Sequence, residues 1–178
     1  MRFPILELLC IFALSLIVIS APRAVAEPAI DNSTGTWTFD IEDRGHPTLQ
    51  YIVAGKTVFF VGCGRAFGLH AIYPITARNV GDNVTITVAN SKTSMTFSGQ
   101  IDESWESDPP NTKHFRQWDL GYDRQDPELY GRKWKMREIR FLNLLDSGVP
   151  LTISAEHANY LMPAVNVPKW KVLFLKKC

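Results

Sequence analysis

Hydrophobic and polar residues alternate along much of residues 36–101, with the period of two that is typical of strands with one buried face. The alternating runs are 37–41, 49–53, 84–88 and 95–101. The run 57–61 is apolar at successive positions, which favours a strand that is buried on both faces. A further apolar segment, 69–73, ends at Pro74. We therefore predict an antiparallel sheet of five or six strands over this part of the chain.

Two short turns join neighbouring runs into hairpins. Ala54-Gly55-Lys56 makes a tight connection before residue 57, and Asn90-Ser91-Lys92 follows the run that ends at residue 88. Gly and Asn are favoured in tight turns because they adopt a positive φ at little steric cost. The pattern therefore predicts two antiparallel hairpins.

The character of the sequence changes at Asp102. Residues 102–130 combine many acidic residues with Pro109-Pro110 and several aromatic side chains, and they show no sustained period. Loops of this length are uncommon in a compact domain and are often functional when they are ordered. We predict a long loop here.

A helix and a strand are predicted after this loop. Asp126-Pro127-Glu128 is typical of a helix start. Ser147-Gly148, followed by Pro150, is typical of a helix end. Residues 151–155 then have the composition of a strand.

The last segment, 168–177, fits either a helix or a strand, and we favour the helix. A helix places three large apolar residues on one face: Trp170, Leu173 and Phe174. Together the elements predict a mainly β (α+β) fold, an antiparallel β-sandwich or open barrel with two accessory helices. No repeat or linker divides residues 27–178, which have the usual size of one domain. We predict a single β-rich domain over this range.

The first 26 residues have the order of a secretory signal peptide. Arg2 supplies a positive charge, the apolar run 8–20 has the length of an h-region, and Ala24-Val25-Ala26 supplies small residues for a signal peptidase. The alternative is a membrane anchor, but the run is shorter than the roughly 18–20 residues of a bilayer span. We expect cleavage after Ala26, no membrane span in the mature chain, and a periplasmic or secreted location.

Two cysteines remain after that cleavage, Cys63 and Cys178. In an oxidising compartment two cysteines most simply form one disulfide bond. Two free thiols or an intermolecular bridge are the alternatives. A free Cys63 with His70 or His157 as its base would be a nucleophile, and we favour the disulfide over that interpretation.

Residues 27–178 are electrically balanced. Removing Arg2, Arg23 and Glu7 from 19 basic and 18 acidic residues leaves 17 of each. A neutral chain has no general attraction to nucleic acid, so we expect no nucleic-acid partner. No motif for a cofactor is visible, and none is predicted.

Histidines and acidic residues are the candidate catalytic or metal-binding groups. The histidines occur singly, without the close pair typical of metal sites, so no metal is predicted. Asp102, Glu103, Glu106 and Asp108 are dense in the sequence but lack the spacing of a calcium loop. A glycosidase needs two facing acids, and a hydrolase that uses acids of the 102–130 loop is the alternative to a binding function.

Aromatic residues among polar neighbours are the most suggestive feature of the 102–130 loop. Flat rings of this kind stack on sugars and anchor protein partners. The candidate binding surface consists of Trp105, Phe115, Trp118 and Tyr122. The alternative is that these rings attach the loop to the sheet.

Part of the sequence resembles a family of small exported bacterial proteins. The resemblance is carried by Val58-Phe59-Phe60-Val61-Gly62-Cys63 after a Gly-Lys turn, by the segment 141–153, and by a tail that ends in Cys178. In the order of these elements the chain is similar to the invasion-associated locus B type of proteobacterial proteins. This resemblance implies a periplasmic or secreted β-rich fold and supplies no catalytic residues. The acidic, aromatic stretch 102–130 departs from the pattern.

Taken together, these patterns favour an exported protein that is not an enzyme and that acts by binding an envelope or extracellular protein or a glycan. A small cell-wall or glycan hydrolase is the alternative. A structural component of the envelope is a third interpretation.

The signal peptide can be tested directly on the exported protein. N-terminal sequencing of the mature chain should begin at, or within a few residues of, Glu27, because the small residues before it form the cleavage site. Recovery of an intact Met1 would contradict the assignment.

Overall fold

The computed structural model describes residues 34–41, 45–63, 67–75, 77–103, 113–117 and 127–178, with the side chains of the last range described from residue 135 onward. The strands are β1 (Thr36–Ile41), β2 (Pro47–Val53), β3 (Lys56–Cys63), β4 (Phe67–Tyr73), β5 (Asn83–Ala89), β6 (Ser94–Asp102), β7 (Lys113–Gln117), β8 (Leu151–Ala155) and β9 (Ala158–Met162). The helices are α1 (Pro127–Leu145) and α2 (Trp170–Lys177). The predicted signal peptide lies outside the described residues.

The strands form one nine-stranded sheet in the order β1-β2-β3-β4-β7-β6-β5-β8-β9, and each pair of neighbours is antiparallel. The sheet curls into a half-barrel with two helices, so the predicted mainly β open barrel is confirmed. The indole Nε1 of Trp37 in β1 donates a hydrogen bond to the carbonyl oxygen of Pro163, which follows β9, at 2.9 Å. The two edge strands of the sheet are therefore brought close together.

Both predicted hairpins are present. β2 and β3 are joined through Ala54 and Gly55, which both have positive φ, at 50° and 77°. Two successive positive φ values match the right-handed twist of the strands, and the Cβ of Ala54 makes this conformation costly at its position. β5 and β6 are joined at Asn90, whose backbone N–H donates to the carbonyl of Thr93 at 2.9 Å.

β7 corrects the prediction of one long loop over residues 102–130. This strand pairs with β4 on one side and β6 on the other, so it separates the two predicted hairpins. Its neighbouring side chains His114 and Phe115 are both buried, at 2% and 0% exposure. Phe115 is the only apolar residue among the five of this strand, so the sequence shows no alternation of apolar and polar positions, and the strand was missed. β9, which extends the sheet beyond the predicted strand at 151–155, was also missed.

Aromatic side chains attach both helices to the buried face of the sheet. Phe67 of β4 contacts Phe141 of α1 and Phe174 of α2, with ring centroids 6.1 Å apart in each pair. Phe97 of β6 packs against Phe141 at 4.6 Å. Fully burying such a side chain contributes about 1.5–3 kcal/mol. We call the side of the sheet that carries Phe67 and Phe97 the core face.

The ends of both helices agree with the sequence signals. α1 begins at Pro127, and the chain leaves it through Gly148, whose φ is 71°. The helix at the end of the chain is also confirmed, with Trp170 and Phe174 buried. Leu173, which was predicted to share their face, is 40% exposed. No helix in the described part of the chain is both long and apolar enough to cross a membrane.

Cys63 and Cys178 form the predicted disulfide bond. Their Cα atoms are 5.6 Å apart, and 115 residues separate them in the sequence. The bond joins the end of β3 to the residue that follows α2, and the backbone N–H of Cys178 also donates to the carbonyl of Phe174 at 2.9 Å. Because its sulfur is bonded, Cys63 is not a nucleophile in this structure.

Breaking the disulfide should destabilise the protein and release α2 first. We expect Cys178→Ser to lower the free energy of unfolding by about 2–5 kcal/mol, since the bond closes a long loop. Hydrogen exchange should accelerate in α2 before the sheet. Chemical denaturation and exchange mass spectrometry measure the two effects.

The double variant Cys63→Ser, Cys178→Ser is the matched control, because it removes the same bond and should cost about as much as the single variant. A wild-type protein that is equally stable with and without reductant would contradict this role.

Candidate functional site: a cationic groove beside α1

Asn90 connects the β5–β6 turn to the C-terminal end of α1. Its Oδ1 accepts hydrogen bonds from the backbone N–H groups of Lys92 and Thr93, at 2.8 and 2.9 Å. Its Nδ2 donates to the carbonyl of Leu144 at 3.2 Å and to the hydroxyl of Ser147 at 3.0 Å. One side chain therefore fixes both the shape of the turn and its position against the helix.

Two adjoining hollows lie between this hairpin and α1, with volumes of about 290 and 350 Å³. Met95 and Arg140 line both, so the two hollows lie side by side. The first hollow extends toward Asn90 and Lys92, and the second toward Met136 and Arg137. We call the two hollows together the hairpin–helix groove.

The charge of the groove is positive. Lys92, Arg137 and Arg140 line it, and its described lining includes no Asp or Glu. Arg137 is held in place, because its Nη2 donates to the carbonyl of Thr96 at 2.9 Å and its guanidinium lies 5.4 Å from the centre of the Phe97 ring. A cation fixed in this way does not have to be ordered when an anion binds, which lowers the entropic cost of binding.

Methionines supply the apolar part of the groove. Met95 is partly buried against the core, whereas Met136 is 60% exposed. Methionine is flexible and polarisable, so it adapts to apolar groups of different shapes. The groove can therefore receive a ligand that carries both negative charge and an apolar part.

The acidic residue nearest in sequence to these arginines is Glu138, which pairs with Lys135 at 3.6 Å. Burial raises the pKa of the Glu138 carboxyl, while Lys135 opposes that change. Glu138 does not line the groove in the described structure.

The sequence reasoning missed this site. A signal was present, because the segment 132–140 contains several basic residues, and Arg137 and Arg140 are three positions apart on a helix. Such residues lie on the same helix face. The position of the β5–β6 hairpin beside that face was not available from the sequence, and only this neighbour turns the basic face into a groove.

The structure describes only Phe115 of the four residues in the predicted binding surface. Trp105, Trp118 and Tyr122 lie outside the described residues. Phe115 is in β7 on the core face and has zero exposure, so its assignment to a surface is corrected. Its register partners on the two neighbouring strands are Ala71 and Ile101, which are also apolar and buried.

The acids proposed for a hydrolase are described only in part. The carboxylate of Asp102 accepts a hydrogen bond from Nη1 of Arg116 at 2.5 Å. Glu103 is exposed, and Glu106 and Asp108 lie outside the described residues. The described geometry therefore shows an ion pair at Asp102 rather than two facing carboxyl groups.

A second titratable cluster occupies the face of the central strands opposite the core face. His70 of β4 and Arg116 of β7 are register partners, and Phe60 of β3 is the partner of His70 on its other side. The Phe60 and His70 rings meet edge to face at 5.5 Å. The Phe60 ring also covers Gly62, where an added Cβ would lie 2.7 Å from a ring carbon.

His70 and His114 are both buried in this cluster, at 3% and 2% exposure. The pKa of His70 is lowered to about 4, mainly by burial and also by the neighbouring His114 and Arg116, while Asp102 acts in the opposite direction. His70 is therefore neutral at physiological pH. Among the residues that the structure describes, no group of three or more His, Cys, Asp or Glu side chains is placed to hold a metal ion.

Comparison of the chain with protein-family models, with curated proteins and with solved structures finds no significant match. The function of the candidate site is therefore inferred from its own geometry.

The buried neutral His70 should make stability depend on pH. The pKa of this histidine is about 4 in the folded protein, against its ordinary value of 6.5, so the unfolded chain binds a proton more readily. The free energy of unfolding is therefore not reduced by this group above pH 6.5, and it decreases as the pH falls from 6.5 toward 4. Between pH 7 and pH 4 the wild type should lose about 3 kcal/mol more unfolding free energy than a His70→Gln variant.

Urea denaturation at a series of pH values measures this difference. Glutamine keeps a polar side chain of similar size but binds no proton. At low pH only the wild type must therefore release a proton from residue 70 when it folds. Identical pH profiles for the wild type and the variant would show that His70 is not the group responsible.

Proposed function

We propose that this chain is an exported, periplasmic or secreted binding protein, and that its hairpin–helix groove holds an acidic peptide segment of an envelope or extracellular protein. The observation that carries the proposal is the juxtaposition of Lys92, Arg137 and Arg140 with two methionines in one groove. Like charges gathered in a depression attract an oppositely charged ligand and raise its local concentration.

Export is supported by two independent features. The first 26 residues have the order of a signal peptide. The structure contains a disulfide bond between Cys63 and Cys178, and such bonds persist in oxidising compartments. A peptide partner of the groove would then belong to the same extracytoplasmic space.

An acidic peptide fits the groove better than a glycan does. Sugar-binding sites present flat aromatic faces to the sugar ring, whereas the described groove lining contains no aromatic residue. Arginine binds carboxylates through two parallel hydrogen bonds. Methionine side chains accept varied apolar side chains, as promiscuous peptide-binding surfaces do. A peptide with Asp or Glu beside a Leu, Ile or Phe has both kinds of group.

We propose a binding function rather than a catalytic one, and no described observation favours the hydrolase alternative. Asp102 is engaged by Arg116, and acid catalysis of glycoside cleavage needs a second carboxyl group at a defined distance. That Trp105, Trp118 and Tyr122 belong to an aromatic binding surface remains a separate prediction, which rests on the tendency of aromatic side chains to anchor protein partners.

Reversing the charge of Arg140 should weaken peptide binding by at least about tenfold, which corresponds to about 1.4 kcal/mol. Arg140 lines both hollows and is exposed, so Arg140→Glu changes the groove without removing a core side chain. The probe is a fluorescent peptide of alternating Glu and Leu, titrated by anisotropy. Binding should also weaken as salt is raised, because salt screens exposed charges.

Lys56→Glu is the matched control, since it makes the same change of net charge in the β2–β3 hairpin and should leave binding unchanged. A Gln-Leu peptide that binds as well as the Glu-Leu peptide would contradict the proposal. Binding of a uronic-acid oligosaccharide, with no binding of the peptide, would favour the glycan instead.

A further inference from the structure

The solvent-facing side of α2 combines exposed apolar and basic residues. Trp170 and Phe174 are buried against the core, whereas Val172 lies opposite them and is 68% exposed, and Leu173, at the edge of the buried side, is 40% exposed. Lys176 follows Val172, and Lys177 follows Leu173, by about one helical turn, and both lysines are exposed. We call this exposed surface the α2 face.

The segment that carries the α2 face has a positive net charge. Residues 158–178 contain four lysines and no acidic residue, although the chain from residue 27 onward is neutral as a whole. Lys171 pairs with Asp146 at 3.1 Å. Lys169 precedes the helix and is exposed, as are the two lysines of its last turn. Three exposed cations thus surround two exposed apolar side chains.

We propose that the α2 face docks the protein on an anionic lipid surface. Exposed apolar side chains flanked by lysines can enter a membrane interface, with the apolar groups among the acyl chains and the cations at the headgroups. The disulfide at Cys178 and the buried Trp170 and Phe174 keep the helix attached to the domain. A contact between α2 and lipid would therefore hold the whole protein at the membrane.

Two features favour a lipid surface over a protein partner. The exposed cations of the face are all lysines, which act as point charges toward a diffuse negative surface, whereas arginine is the residue suited to defined pairs in protein interfaces. The α2 face also offers only two apolar side chains and no exposed aromatic residue among its described members. Stable protein interfaces bury about 800 Å² per partner around aromatic or arginine anchors.

This docking is independent of the hairpin–helix groove and does not rest on the proposed peptide binding. Its two contributions are each small, because a short apolar patch or a few lysines alone bind a membrane weakly. Both should therefore be needed. The expected behaviour is reversible association that depends on anionic lipid and on salt.

Vesicle sedimentation with the mature, disulfide-bonded protein tests the proposal. The wild type should bind vesicles that contain phosphatidylglycerol and should not bind vesicles of phosphatidylcholine alone. The variant Lys176→Glu, Lys177→Glu should bind at least about 25-fold more weakly, since each lysine near such a surface contributes roughly fivefold. The variant Val172→Ser, Leu173→Ser should also lose binding, because it removes the apolar contact.

Matched controls separate the α2 face from general electrostatics. Lys56→Glu, Lys135→Glu makes the same change of net charge elsewhere, and Val80→Ser removes an apolar side chain that is 53% exposed in the 77–81 turn region. Both should bind vesicles as the wild type does. Circular dichroism and the intact disulfide confirm that each variant is folded, which is expected because none of the changed side chains is buried.

Three results would overturn the proposal. They are equal binding to neutral and anionic vesicles, unchanged binding of either α2 variant, and absence of binding by the wild type. A dimer that disappears in Val172→Ser, Leu173→Ser, without vesicle binding by the wild type, would identify the face as a contact between two copies. Arg140→Glu should leave vesicle binding intact, so failure here and failure of the groove proposal are distinguishable.

Discussion

The packing of Phe67 against one aromatic residue from each helix is the interaction on which the rest of the structure depends. Phe141 and Phe174 come from helices that are far apart in sequence, and both rings contact Phe67 at 6.1 Å. A curled sheet leaves one wide apolar face that a domain must cover. The helices cover it here, and their positions on that face determine which of their other sides meet solvent. The groove and the α2 face are both consequences of this packing.

The insertion of β7 between β4 and β6 gives the sheet its two different faces. One row of register partners, which includes Phe59, Ala71, Phe115 and Ile101, is apolar and belongs to the core face. The adjacent row, on the other side of the same strands, includes Phe60, His70, Arg116 and Gln100. A shift of one residue in any of these strands would exchange the two sets. The central strands therefore hold buried histidines where an outer strand would hold solvated ones.

Charge is distributed unevenly in a chain that is neutral as a whole. Three cations line the hairpin–helix groove, and three others are exposed at and beside α2. Net charge alone therefore excluded general attraction to a polyanion, yet it did not exclude local attraction. The positions of cations on two helices, relative to the sheet that orients them, decide where a negatively charged partner would bind.

Much of the local structure was determined by the sequence itself. The period-two runs, the positive-φ turn at Gly55 and the helix end at Gly148 depend on neighbouring residues only. The pairing of Cys63 with Cys178 followed because no third cysteine remains in the predicted mature chain. The strands, the turn and the helix end were predicted because each has a short-range physical cause, whereas the disulfide, which joins residues 115 positions apart, was predicted by elimination.

Features that depend on contacts between residues distant in the sequence could not be predicted in this way. β7 shows no alternation because Phe115 is its only apolar residue, and Phe115 was therefore assigned to a surface rather than to the core. The basic residues of α1 were visible in the sequence, but the groove exists only because Asn90 holds a distant hairpin beside them. Local sequence determines which side chains share a face of an element. Only tertiary packing decides what lies opposite that face, because the contacts that fix it join residues remote in the chain.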